Sequence, residues 1–277
     1  MAPHSAQPAL GATSTAAAAG GNPFAAMLLA DARLPTGGHA YSAGVEPALR
    51  AGLAPDRLRE YMIGRARTTS LVEAGTAVVA RHLLSPAAPS QSSSVASAYG
   101  LSHGESVDCS SSRASTERGT SEAGARIETL RASWAARTPA PALREASAAQ
   151  GRGFLRLARS LWPDSPVLKI LTALQRPPCR AVVLGGIAVM APMSAAELVR
   201  LVIYDDAATA AAALLKLEPR DPAEVSGWVL EACAAGEPSV GGLAALTDPD
   251  AIPASGAPQT EEWAQAHAVM NQRLFRA

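Results

Sequence analysis

Aromatic residues are scarce in this chain of 277 residues: three Phe, four Tyr and four Trp make up 4% of it. Alanine supplies much of the 48% apolar content. Alanine-rich helices pack closely and bury little area per residue, so the composition predicts a helical bundle with few large anchors. Charge of one sign is missing too. Lys+Arg and Asp+Glu balance at 24 each, and no basic run stands out, which argues against nucleic-acid binding. The only cysteines, Cys109, Cys179 and Cys233, lie far apart and outside any CxxC pairing. That usage fits a reducing cytosol better than secretion. The N-terminal stretch has no basic region followed by a continuous apolar core, so it is not read as a signal peptide. The longest compact apolar run, Ala181–Ala191, is too short to span a bilayer. The expectation is a soluble, cytoplasmic protein without nucleic-acid or membrane partners.

Ligand-binding signatures are also absent. The five histidines (His4, His39, His82, His103, His267) never pair at i,i+3 or i,i+4, so no helix face presents two imidazoles and no metal site is expected. Gly37-Gly38 is not followed by Lys-Ser/Thr, which excludes a P-loop, and Gly151-Arg152-Gly153 lies inside a helical stretch. No cofactor is expected.

What is present is mostly helical period. Residues 1–22, rich in Ala, Gly, Ser and Pro, read as disordered. A short apolar segment, Phe24 to Leu29, follows. Pro55 opens a long helix, with Asp56 and Glu60 near its positive end, and the helix stops at Ser85-Pro86. The serine-crowded stretch from 86 to about 120 reads as a disordered insertion. Helical pattern returns with Ile127, Leu130 and Trp134, and again from Ala142 through Leu161. Val167–Leu174 and Ala181–Ala191 fit either helix or strand. Ser194-Ala-Ala-Glu197 is a capping box ahead of a helix to about Lys216. Asp221-Pro222 starts another. Residues 236–258 read as loop, and a helix from Glu261 to Phe275 closes the chain with Trp263, His267, Met270 and Leu274 on one side. The sum is all-α: a single helical-bundle domain of about eight to ten helices.

The residues that carry chemistry cluster in Leu34–Glu46, LPTGGHAYSAGVE. Paired glycines permit positive φ and close approach of another surface. This corner supports three readings: a structural turn, a nucleophile site and a docking motif. As a nucleophile site, Ala40-Tyr-Ser42-Ala-Gly44 is a relaxed G-x-S-x-G, with Asp248 or Asp250 and then His267 in hydrolase order. The elbow requires a preceding strand, however, and here a loop precedes it. Two further clusters stand out. Ser147-Ala-Ala-Gln150-Gly151-Arg152 sits midway along an apolar helix, as a close helix crossing or a contact site. Arg273-Leu274-Phe275-Arg276 ends the chain with an aromatic between cations, as a frayed end or a docking peptide.

Taken in order, five pieces resemble the UreF family of urease accessory proteins. They are Leu34–Glu46, Ala136-Arg137-Thr138 with Leu143–Ser147, Gln150-Gly151-Arg152, Val182-Val183-Leu184-Gly185, and Gln272–Arg276. The resemblance covers nearly the whole chain after residue 23. It implies an all-α homodimer without catalysis of its own, bridging UreD/UreH and the GTPase UreG, delivering nickel to apo-urease (UreA/UreB/UreC) and influencing the timing of GTP hydrolysis. Nickel passes through the assembly as cargo. By this resemblance the partner-binding residues are Gly37, Gly38, Tyr41, Ser42 and Glu46 in the corner, Gln150, Gly151 and Arg152 on the helix, and Arg273, Leu274 and Phe275 in the tail. Tyr41 and Glu46 equally suit an internal role, tying the corner to the bundle. The chain departs from the family pattern at His39, Val45, Cys179 and Lys216–Asp221, and the Ser-rich insertion is not a family hallmark.

Overall fold

A computed structural model describes residues 23–31, 33–86, 109–271 and 274–275 of the chain, without the side chains of Pro23 and 109–118. The expected disorder at 1–22, and residues 87–108 of the insertion expected over 86–120, lie outside the described residues. Within them every regular element is helical and no strand occurs. In order these are α1 (Pro23–Leu29), α2 (Val45–Arg50), α3 (Leu58–Ala66), α4 (Thr69–Leu84), α5 (Cys109–Ala136) and α6 (Pro141–Leu161). Then come α7 (Pro166–Ala173), α8 (Arg180–Met190), α9 (Ala195–Leu217), α10 (Pro222–Gly236), α11 (Val240–Ala244) and α12 (Pro258–Ala268).

Both ambiguous apolar runs are helices. The second, α8, is apolar on every side and is accordingly central, buried from Arg180 through Ala188 and packed against α4 and α6. One connected core of buried apolar side chains runs from Ala25 to Phe275. The capping box at α9 is complete: Glu197 N–H donates to Ser194 Oγ at 3.2 Å, and Ser194 N–H donates to Glu197 Oε2 at 2.9 Å. Asp221 caps α10 by accepting from Ala223 N–H at 2.9 Å. Ile127, Leu130 and Trp134 are buried on α5, which begins at Cys109, inside the serine-rich stretch. Among the described residues no helix is long and apolar enough to cross a membrane.

Three boundaries differ from the sequence expectation. The long helix from Pro55 is two helices, broken at Thr68, where the backbone turns to φ −132°, ψ −92°. Thr68 Oγ1 donates to the Gly64 carbonyl at 2.8 Å and satisfies one orphaned end group. The break lets α3 pack on α10 while α4 packs on α8 and α9, which one straight rod could not do. The loop 236–258 contains α11 and 3₁₀ turns at Glu237–Ser239 and Pro249–Ala251. The last helix stops at Ala268 instead of Phe275, because the tail backbone hydrogen-bonds elsewhere.

Candidate functional site

The corner turns on left-handed residues. Gly37 has φ +84°, and Ala43 (φ +48°) and Gly44 (φ +81°) are consecutive. A Cβ on Gly44 would collide with the Tyr61 hydroxyl, which donates to the Ala43 carbonyl at 2.7 Å. This reversal starts α2 and points Glu46, in its first turn, into the interior, where its side chain is fully buried.

Glu46 is the hub of the site. Its Oε1 accepts from Arg50 Nη2 at 2.9 Å and from Leu274 N–H at 2.9 Å. Its Oε2 lies 2.9 Å from His267 Nε2 and accepts from Phe275 N–H at 3.0 Å. A buried carboxylate can hold four donors, and here all four are supplied. Burial pushes the Glu46 carboxyl up; the Leu274 N–H, His267 and the Phe275 N–H together outweigh it and hold the group below the ordinary value. The tail cannot remain helical and also aim two successive N–H groups at one carboxylate, which is why α12 ends early. Phe275 is buried and lies under Lys216, whose Nζ is 5.2 Å from the ring centroid and donates to the His39 carbonyl at 3.2 Å. Two departures from the family pattern, His39 and Lys216, are thus in contact. Leu274 points outward, 73% exposed. Arg273 lies outside the described residues.

The α6 cluster meets the corner through its glycines. A Cβ on Gly153 would strike the Thr36 backbone, and one on Gly151 would strike the Pro178 carbonyl ahead of α8. Gly151 is therefore a close helix crossing. Gln150 is half-buried and Arg152 exposed.

Beneath the corner lies a charged cluster that the sequence reading missed. Arg65 Nε donates to Asp206 Oδ2 at 3.0 Å, and Ser70 Oγ donates to the same oxygen at 2.8 Å. Arg180 pairs with Asp205 and lies 3.8 Å from Glu73, which accepts from Trp134 Nε1 at 2.6 Å. Burial raises the Glu73 carboxyl against the opposing pull of Arg180 and Trp134. Burial also works against Asp206, but Arg65, Ser70 and Arg180 together outweigh it and keep that carboxyl low. A cavity of about 130 Å³ borders this cluster, and a second of about 210 Å³ reaches out to Lys216 and Phe275. Tyr41, Gln150, Arg180 and Asp205 line both. The available signal was Asp205-Asp206 interrupting an otherwise apolar helix, together with Arg180 opening the most apolar one.

The hydrolase alternative is not assembled. Asp248 is exposed and accepts from Asp250 N–H at 2.9 Å, capping its own turn. His267 Nε2 is held by Glu46, and among the described residues the fully buried Ser42 Oγ has no hydrogen-bond partner and no strand precedes it. Among the described residues no three His, Cys, Asp or Glu side chains are grouped to hold a metal ion.

The frame and its motifs define an all-helical protein whose distinctive residues tie distant backbone segments together and shape a surface. The UreF family model matches residues 70–233. Similar proteins include the urease accessory protein UreF of Mycobacterium marinum, 34% identical over 257 residues, 90% of this chain and 96% of the relative. That of Mycolicibacterium vanbaalenii is 37% identical over 202 residues, covering 72% and 77%. That of Mycobacterium tuberculosis is 33% identical over 230 residues, covering 80% and 88%. The chain belongs to the UreF family of urease accessory proteins.

Proposed function

We propose that this protein is a non-catalytic cytoplasmic scaffold for urease maturation. As a homodimer it bridges UreD/UreH and the GTPase UreG, so that nickel, as cargo, reaches apo-urease and GTP hydrolysis is timed to delivery. The observation that carries the reading is the join between corner and tail. Two motifs 228 residues apart in sequence share the Glu46 carboxylate, and membership of the UreF family supports reading their join as part of a urease-maturation scaffold. A scaffold needs such a composite surface, preorganised so that little ordering entropy opposes docking. Gly37 and Gly38 shape one side of it, Tyr41 and Ser42 are buried beneath and support it from inside, and Leu274 is its exposed apolar point, suited to a partner pocket.

The test is a deletion strain grown with limiting nickel. Urease should be expressed at normal levels yet short of nickel, and the full chain should restore it. Full urease activity in the deletion strain would refute the reading. Co-expression with UreD/UreH and UreG, followed by size-exclusion chromatography with light scattering, reads the bridging and the dimer directly.

A further inference from the structure

We propose that the outer face of α6 is a docking surface for an acidic helical face of a partner protein. The stripe consists of Arg152, Arg156 and Arg159, spaced four and three apart, so that all three lie on one side of the helix. All are exposed, and none of the three guanidinium groups makes a hydrogen bond or ion pair among the described residues. Elsewhere the exposed arginines Arg33, Arg59 and Arg200 are each neutralised by a carboxylate, Asp31, Glu231 and Glu237. In a chain of zero net charge, three unneutralised guanidinium groups within two turns are a local departure.

The stripe runs into apolar surface. Leu161, at the end of α6, is 44% exposed, and the next residue, Trp162, lines a shallow groove of about 260 Å³ with Phe24 and Leu28 of α1. Phe24 is 76% exposed and Met27 68%. From Arg152 to Arg159 the helix rises roughly 10 Å. A facing helix with carboxylates at i, i+4 and i+7 and an apolar end matches that length and order. Guanidinium forks take carboxylates with two parallel hydrogen bonds, which fixes register as well as attraction.

Other occupants fit less well. A second copy of this chain across a two-fold axis centred on the stripe would set it against itself, arginine to arginine. Nucleic acid needs a longer basic track to neutralise successive phosphates, and here the stripe is only three cations long, with Glu145 one heptad before Arg152 ending it. A lipid surface would gain from only three cations, and stable anchoring needs a larger polybasic patch or a lipid chain.

The proposal rests on the scaffold reading for its set of partners. The experiment co-expresses the full chain with UreD/UreH and UreG of the same organism, as wild type, as R152E/R156E/R159E, as the milder R152Q/R156Q/R159Q, and as R67E/R176E. The last control changes two exposed arginines whose side chains also have no partner among the described residues. Circular dichroism checks each fold. Complex with one partner should weaken on the order of 100-fold in the reversed triple variant, by less in the neutral one, and not at all in the control, with the wild-type complex falling apart as salt rises. If wild type forms no complex, the scaffold reading itself fails. If the triple variants assemble like wild type, the α6 surface is overturned and the scaffold reading stands. Sedimentation of wild type, but not the triple variants, with phosphatidylserine vesicles while the protein complex is unaffected would overturn the proposal in favour of lipid.

Discussion

Replacing Glu46 with Gln keeps the side chain's shape and removes its charge, and the cost follows from the four donors around it. The amide supplies one oxygen and one NH2. Its least costly orientation leaves the oxygen on Leu274 N–H and Arg50 and turns the NH2 toward His267 and Phe275. His267 Nε2 can accept by changing tautomer, but the buried Phe275 N–H then faces another donor. An orphaned buried donor costs about 1–3 kcal/mol, and the remaining bonds lose their charge assistance, so the total is about 2–4 kcal/mol. Glu46→Ala removes the acceptor shared by Arg50, His267 Nε2 and both backbone N–H groups and should cost about 3–5 kcal/mol. Urea unfolding followed by helical circular dichroism measures these differences, and a loss of this size lowers the midpoint by roughly 1 M or more. Hydrogen exchange at the Leu274 and Phe275 amides reports the tail directly. The pH dependence adds a sign test. The Glu46 carboxyl is held below the ordinary glutamate value in the folded chain. Its contribution is therefore full above that value and is lost as pH falls through the folded pKa. The gap between wild type and Glu46→Gln should close in acid. A gap under about 1 kcal/mol at neutral pH, with tail amides as protected as in wild type, would refute the reasoning.

Gly153→Ala forces a Cβ onto the Thr36 backbone and should destabilise by about 1–3 kcal/mol in the same urea assay, whereas Gly227→Ala, with open space around it on α10, should stabilise by up to about 1 kcal/mol. Ser42→Ala removes a buried hydroxyl that has no hydrogen-bond partner, so stability should change by less than about 1 kcal/mol and complex formation with the urease accessory proteins should persist; abolition of a hydrolytic activity would revive the nucleophile reading. Burial, helped by Glu73, pushes the Cys179 thiol up to about 12, so iodoacetamide at neutral pH should leave Cys179 unmodified in the folded chain and label it once urea unfolds the protein, as peptide mass spectrometry would show.

What the sequence determined by itself was the content of the chain: helices, their caps, and which segments were unusual. Ser194 with Glu197 and Asp221 with Pro222 specify helix starts through groups only three residues apart, so local pattern suffices to read them. The apolar period that marks Ala142–Leu161 likewise lies within one helix, and the corner and tail announced themselves by glycine pairing and by an aromatic between arginines. What the tertiary structure alone decided was which of these meet. No local rule joins Glu46 to Phe275, and none ends α12 at Ala268; that end is set by a carboxylate reached across the bundle. The break at Thr68 serves packing on α10 and α8, partners far away in the chain. Arg180, Asp205 and Asp206 were visible as charges in apolar helices, but their pairing, with Arg65 on Asp206 and Arg180 on Asp205, was not. Short-range hydrogen bonds and helical period are written in neighbouring residues, whereas the partner of a buried charge depends on where every helix is finally packed.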